Sequence, residues 1–259
     1  MKNIKTVGRT RWTVLIFYLA TILMNFISQT LPFNGQTNGE VSDKYSTLIT
    51  PADYAFSIWG IIFLALGIYA FFQAFSRKAD KKIYDQIGIW LIVAFVSTSL
   101  WLPAFQYEMI ALSALIMLAI LGSLIQVSIM LTQDQTMASR EKAWVRIPVG
   151  LYLGWISVAT LVNLSVLAKY GGWYLLNYSE LNWLLIMITV SLVLALLITR
   201  ATGNLVISLV FVWAYVAIAV RHSDENAILQ FSLGAAIISL IYGIMLLIRQ
   251  LRKKQVMLS

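Results

Sequence analysis

Eight apolar blocks govern what this chain can fold into. They fall at about residues 12–31, 54–76, 88–105, 109–132, 147–169, 181–199, 204–220 and 226–249, and no charged residue interrupts any of them away from its ends. Crossing a hydrocarbon core of ~30 Å takes about 20 apolar residues in a helix. A barrel strand would be half as long and would alternate polar with apolar positions. In lipid every backbone N–H and C=O must be satisfied within the spanning element, which leaves helices. The sequence therefore predicts an all-α integral membrane protein with eight spans. The small charged fraction, 12% against roughly 25% in soluble domains, fits the same reading.

The basic residues orient the spans. With the N-terminus in the cytoplasm, the inside segments collect Lys2, Lys5, Arg9, Arg11, Arg77, Lys78, Lys81, Lys82, Arg140, Lys142, Arg146, Arg200, Arg249, Arg252, Lys253 and Lys254, 16 of the 19 basic residues. Only Lys44, Lys169 and Arg221 fall outside, beside 7 of the 11 acids. This is the positive-inside pattern, and it predicts a multi-pass cell-membrane protein with both termini cytoplasmic. It also accounts for the net charge of +8 without nucleic acid as a partner. The bilayer is the partner the sequence demands. The first block, preceded by basic residues, is read as a retained span and not a cleaved signal, because no small-residue cleavage pattern follows it.

Several chemistries are excluded early. There are no cysteines, so disulfides and thiolate sites are absent. The single histidine, His222, sits in a connection, which removes a histidine-rich metal site. No ionisable residue lies mid-span, where such groups mark proton relays and ion pathways. No nucleophile–base pair or paired intramembrane carboxylates appear; an enzyme is not expected, nor a cofactor. Asp53, Glu108 and Glu180 read as solvated or capping charges.

Two connections stand out. Residues 32–53 form an external segment of about 22 residues, long enough to suggest a function. It ends in "LITPADYAFSIWG", where Thr50 reads as an N-cap, Pro51 as the first helical position and Asp53 as the third, a capping box that would fix the start of the second span. The second, 170–180, separates the fifth span from the last three and is the expected boundary between regions 1–169 and 170–259.

Polar and aromatic residues supply the candidate site. Asn25, Ser28 and Gln29 share a face of the first span; Asn163 lies deep in the fifth with Ser157 and Thr160. Such groups either bond neighbouring helices or orient a ligand in an apolar pocket. Trp12, Trp144, Trp173 and Trp183 sit near span ends, as an aromatic belt would. Trp59 with Phe63, Trp90 with Trp101, and Tyr152 with Trp155, Ala159 and Asn163 form stripes at helical spacing. They read either as core packing or as the lining of a cavity for a flat ligand. Gly150 and Gly154 have the spacing that lets helices approach closely.

Three of these stretches resemble one family. "LYLGWISVATLVN" (151–163) is similar to the last helix of the TspO/MBR family, the tryptophan-rich sensory and translocator proteins, through Tyr152, Leu153, Trp155, Ala159, Thr160 and Asn163. "STSLWLPAF" (97–105) resembles the family's third helix, with Trp101 in register and Thr98 in place of an asparagine. Pro51, Trp59 and Phe63 match the approach to its second helix. The resemblance covers about residues 12–169. It implies a TspO-like five-helix bundle, here followed by three additional transmembrane helices, with a pocket opening towards the long loop. It also implies a hydrophobic ligand, tetrapyrrole-like (porphyrin or haem) or sterol-like, and a homodimer. The ligand-binding residues it implies are Asn25, Pro51, Trp59, Phe63, Trp101, Tyr152, Trp155, Ala159 and Asn163. Leu48 stands where the family carries a loop tryptophan, so the porphyrin breakdown attributed partly to that residue is not expected. Two functions stay open: a binding or sensory protein for such a ligand, or a small transporter or permease that moves it.

Overall fold

The computed structural model describes residues 4–76, 82–172 and 179–256. Trp173, most of the 170–180 connection, and Arg77, Lys78 and Lys81 lie outside the described residues. The described residues form nine helices and no strand: α1 (Ile4–Thr30), α2 (Asn38–Lys44), α3 (Ile58–Phe75), α4 (Lys82–Gln106), α5 (Ile110–Gln133), α6 (Ser139–Tyr170), α7 (Glu180–Thr202), α8 (Leu205–Arg221) and α9 (Asn226–Val256), with a 3-10 turn at Asp53–Ser57 leading into α3. Seven of them, all but α2 and α8, are long and apolar enough to cross a membrane. Helix α8, with 17 residues, rises about 25 Å, slightly short of the hydrocarbon thickness. This is an all-α integral membrane protein.

Five helices close a ring in the order α1–α3–α6–α5–α4, each packed against its neighbours. Helix α8 packs against α6, and α9 against both α8 and α7. Helix α6 is therefore central, with 72% of its most apolar window buried against 22–44% for the other six long helices. The outward apolar side chains of those six, such as Ile16, Leu23, Leu64, Leu115, Val193 and Ile237, have lipid as their solvent. In water such a surface would be an aggregation hazard.

Glycines mark the close crossings. A Cβ on Gly67 would lie 2.5 Å from the Tyr18 hydroxyl, which donates to the Phe63 carbonyl at 2.8 Å; α1 and α3 touch there. Gly150 and Gly154 turn out to serve α8. A Cβ on Gly154 would lie 2.8 Å from Val210 Cβ, and one on Gly150 would overlap the Asn204 side-chain amide. Asn204 caps α8, accepting from Val206 N at 3.2 Å, and donates to the Arg146 carbonyl of α6 at 2.7 Å.

At the same end of the ring, Arg11 is buried and donates to the carbonyls of Gln73 (2.6 Å), Ala74 (3.3 Å) and Ser76 (2.9 Å). A guanidinium at the C-terminal end of α3 satisfies carbonyls that have no partner within the helix and complements its dipole.

The start of the second span differs from expectation. Thr50 caps no helix: its hydroxyl accepts from Thr47 N at 3.2 Å within a buried Thr47–Thr50 turn. The N-cap of the 3-10 turn is Ala52, without a side-chain cap, and α3 begins only at Ile58. The Ala52 N–H instead reaches across to the Ala217 carbonyl of α8 at 3.2 Å, so a long-range partner replaces the local box. A capping box does form inside the long loop, where Thr37 and Glu40 exchange bonds at the start of α2.

Candidate ligand-binding cavity

A cavity of about 780 Å³ lies inside the ring at the end where α2 sits. That is within the range of small-molecule sites, ~300–1,000 Å³. Helix α1 presents Ile22, Asn25, Phe26 and Gln29, spaced to share one face. Helix α3 contributes Trp59 and Phe63, stacked with centroids 5.1 Å apart. Trp101 and Phe105 of α4 stack at 4.8 Å. Trp155 of α6 is 2% exposed and meets Phe56 edge-on at 5.8 Å. Ala159, Val162 and Asn163 continue the α6 wall, Met117 and Ile120 the α5 wall. The walls are aliphatic and aromatic with a few amide groups.

Of the nine residues singled out in the sequence, eight line this one cavity: Asn25, Pro51, Trp59, Phe63, Trp101, Trp155, Ala159 and Asn163. Tyr152 does not. It is 1% exposed, stacks on Phe95 at 6.5 Å, meets Trp59 edge-on at 6.0 Å, and its hydroxyl pairs with Thr98. Tyr152 thus stands behind Trp59 and fixes its ring. Asn163 and Ser113 approach at 3.3 Å between α6 and α5. Ser157 and Thr160 bond back to their own helix, at Leu153 and Ile156, as hydroxyls in spans commonly do.

The loop over the cavity is fastened from two sides. On the ring side Glu108, in the α4–α5 turn, accepts from Lys44 Nζ at 2.6 Å, Gln36 Nε2 at 2.8 Å and the Tyr45 hydroxyl. Those bonds, Lys44 first, hold its carboxyl down at about 2. Glu108 is thus a tether, not merely a solvated charge, and it occupies the left-handed region with φ 56°, which costs on the order of 1–3 kcal/mol in a non-glycine residue. Gln106, fully buried, accepts from Phe33 N at 3.0 Å and donates to the Ser28 carbonyl at 2.8 Å.

On the other side the end of α8 grips the approach to α3. Arg221 donates to the Pro51 carbonyl at 3.2 Å and to Ser46 Oγ at 3.3 Å, and lies 3.5 Å from both Asp43 and Asp53. Trp213 Nε1 donates to the Ala55 carbonyl at 3.1 Å, and its ring meets Tyr54 edge-on at 5.3 Å. Sequence reasoning missed Glu108, Gln106, Trp213 and Arg221 as parts of the site. Their partners lie far along the chain, more than 60 positions away in every bond named, and leave no local pattern.

The cavity's rim is electrostatically one-sided. The only charged side chains on its lining, among the described residues, are Glu40, Asp43 and Asp53. A second groove, of about 730 Å³, lies between α3 and α6 towards the opposite end, bounded by Ile68, Phe72, Trp144 and Pro148 among others; Ile68 and Trp144 are more than half exposed, so it faces lipid.

A family model described as TSPO-like protein matches residues 11–247. The chain belongs to the TSPO-like protein family. The match runs through α7, α8 and most of α9, so it takes in the three C-terminal helices as well as the ring. Neither a curated protein nor a solved structure matches this TSPO-like chain.

Proposed function

We propose that this TSPO-like protein is a membrane-embedded binding or sensory protein for a flat, hydrophobic ligand of tetrapyrrole-like shape. It binds that ligand without transforming it. The observation that carries the reading is the ring cavity, in which Trp59, Phe63, Trp101 and Trp155 offer stacking faces beneath a fastened loop. Affinity then comes from burial and from ring contacts. Fully burying one large apolar side chain stabilises by about 1.5–3 kcal/mol, and a well-placed aromatic pair adds about 0.5–1.5 kcal/mol. A few such contacts, less the cost of association, give binding near the micromolar range, about 8 kcal/mol. The basic-residue pattern supports placing the cavity mouth outside the cell membrane and both termini in the cytoplasm.

The test is a titration of the purified chain in lipid nanodiscs with protoporphyrin dimethyl ester, read by the porphyrin absorbance. Saturable binding is expected. Trp155→Leu should weaken it about two- to tenfold, the loss of one aromatic contact, while the variant stays monodisperse. Equal binding by both proteins, or none above partition into empty discs, overturns the reading.

A further inference from the structure

The aromatic cavity and its rim ask for opposite things of a tetrapyrrole that carries two carboxylates. The walls would stack its ring. The rim would repel its charges: Glu40, Asp43 and Asp53 all lie on the lining, which carries no lysine, arginine or histidine among the described residues. Glu40 is kept ionised by the bonds it accepts from Thr37, backbone first and then hydroxyl, which lower its pKa.

The cations nearby are already engaged. Lys44 is paired with Glu108 at 2.6 Å, and Lys169 donates to the Ser46 carbonyl at 2.6 Å. Arg221, shared between Asp43 and Asp53 at 3.5 Å each, is held by Pro51 and Ser46 as well. One guanidinium against three carboxylates leaves the rim with a net charge near −2. The external connections as a whole carry Glu40, Asp43, Asp53, Glu108, Glu180, Asp224 and Glu225 against Lys44, Lys169 and Arg221. A concave site with low-dielectric walls and a rim of one sign focuses the field and concentrates ligands of the opposite sign. Indole and phenyl faces add to that, since their quadrupoles attract cations.

We infer that the natural occupant of this cavity is a flat aromatic amphiphile carrying positive charge, its ring against Trp59, Phe63 and Trp155 and its cationic group at the Asp43–Asp53 rim. This rests on the reading that the cavity binds a flat ligand and adds the sign of the ligand's charge. The carboxylates do not make the site; the aromatic cavity does, and the rim selects among ligands that fit it.

One ring with three charges separates the two claims. The probes are protoporphyrin (two carboxylates), its dimethyl ester (neutral) and its bis(dimethylaminoethyl) amide (two ammonium groups). Each is titrated into the full chain in phosphatidylcholine nanodiscs, with partition into empty discs subtracted. The amide should bind tightest and the dianion weakest, about tenfold apart at low ionic strength, and the gap should shrink with salt as the Debye length falls. Asp43→Asn together with Asp53→Asn should bring the ratio of amide to dianion affinity, taken within that variant, most of the way to one. Arg221 keeps the Pro51 carbonyl and Ser46 Oγ as partners in that variant, and the salt series on the unaltered chain tests the same point independently. If the dianion binds as tightly as the amide, or tighter, the cation inference is overturned while the cavity reading survives. If none of the three binds above empty discs, both fall.

Discussion

Gly150→Ala should change sign with its background. In the native chain the new methyl would overlap the Asn204 amide nitrogen. That nitrogen is the far end of a rotatable side chain, so the backbone can stay in place while Asn204 turns away. Two interactions go with it: the N-cap of α8 at Val206 N, and the bond to the Arg146 carbonyl. Losing an asparagine cap costs about 1 kcal/mol and losing a neutral hydrogen bond about 1 kcal/mol. Replacing glycine by alanine inside a helix returns about 1 kcal/mol. The net is a destabilisation of about 1 kcal/mol. With Asn204→Ala already present both losses have been incurred, and Gly150→Ala should stabilise by about 1 kcal/mol. The coupling, about 2 kcal/mol, is within the range of contacting residues. A double-mutant cycle from SDS-titrated unfolding in mixed micelles measures it. Additive effects, with the same sign in both backgrounds, would refute the claim that this glycine exists to seat α8 on α6.

Two further outcomes follow from the loop. Because its folded pKa is depressed, Glu108 stabilises the α2 tether above the ordinary carboxylate range and loses that effect as pH falls from about 4.5 towards about 2. Hydrogen exchange over residues 36–45, corrected for intrinsic rates, should accelerate between pH 6 and pH 3; Glu108→Gln should show the faster exchange already at pH 6, and unchanged protection would contradict the tether. For orientation, a cysteine placed at Gly39, exposed on α2 with nothing within 3.8 Å of a new Cβ, should react with an impermeant thiol reagent in intact cells. Reaction only after lysis would reverse the proposed topology.

The spans were legible because length and absence of charge are one-dimensional properties, and the lipid requirement for satisfied backbone groups converts them directly into helices. Their arrangement was less so. Gly150 and Gly154 announced a close approach on α6 but could not name α8 as the helix that approaches. The misplaced capping box shows the limit of local patterns. Thr50-Pro51-Ala52-Asp53 and Thr37-Asn38-Gly39-Glu40 both have the right spacing, and only the second forms the box. At the first, Thr47 engages both the hydroxyl and the backbone N–H of Thr50, and the Ala52 N–H goes to the Ala217 carbonyl, far along the chain. In the cavity, helical spacing grouped the aromatic side chains by face, and eight of the nine singled out share the lining. Tyr152 shares the stripe of Trp155, but it packs under Trp59, and no periodicity distinguishes a wall from the layer behind it.

The central claim is that a flat ligand sits inside the ring. A structure of the chain with protoporphyrin dimethyl ester tests it most directly. The account predicts planar density among Trp59, Trp101 and Trp155 beneath α2, in the cavity between α1, α3 and α6. Density only in the lipid-facing groove at Ile68 and Trp144, with the ring cavity empty, would contradict it.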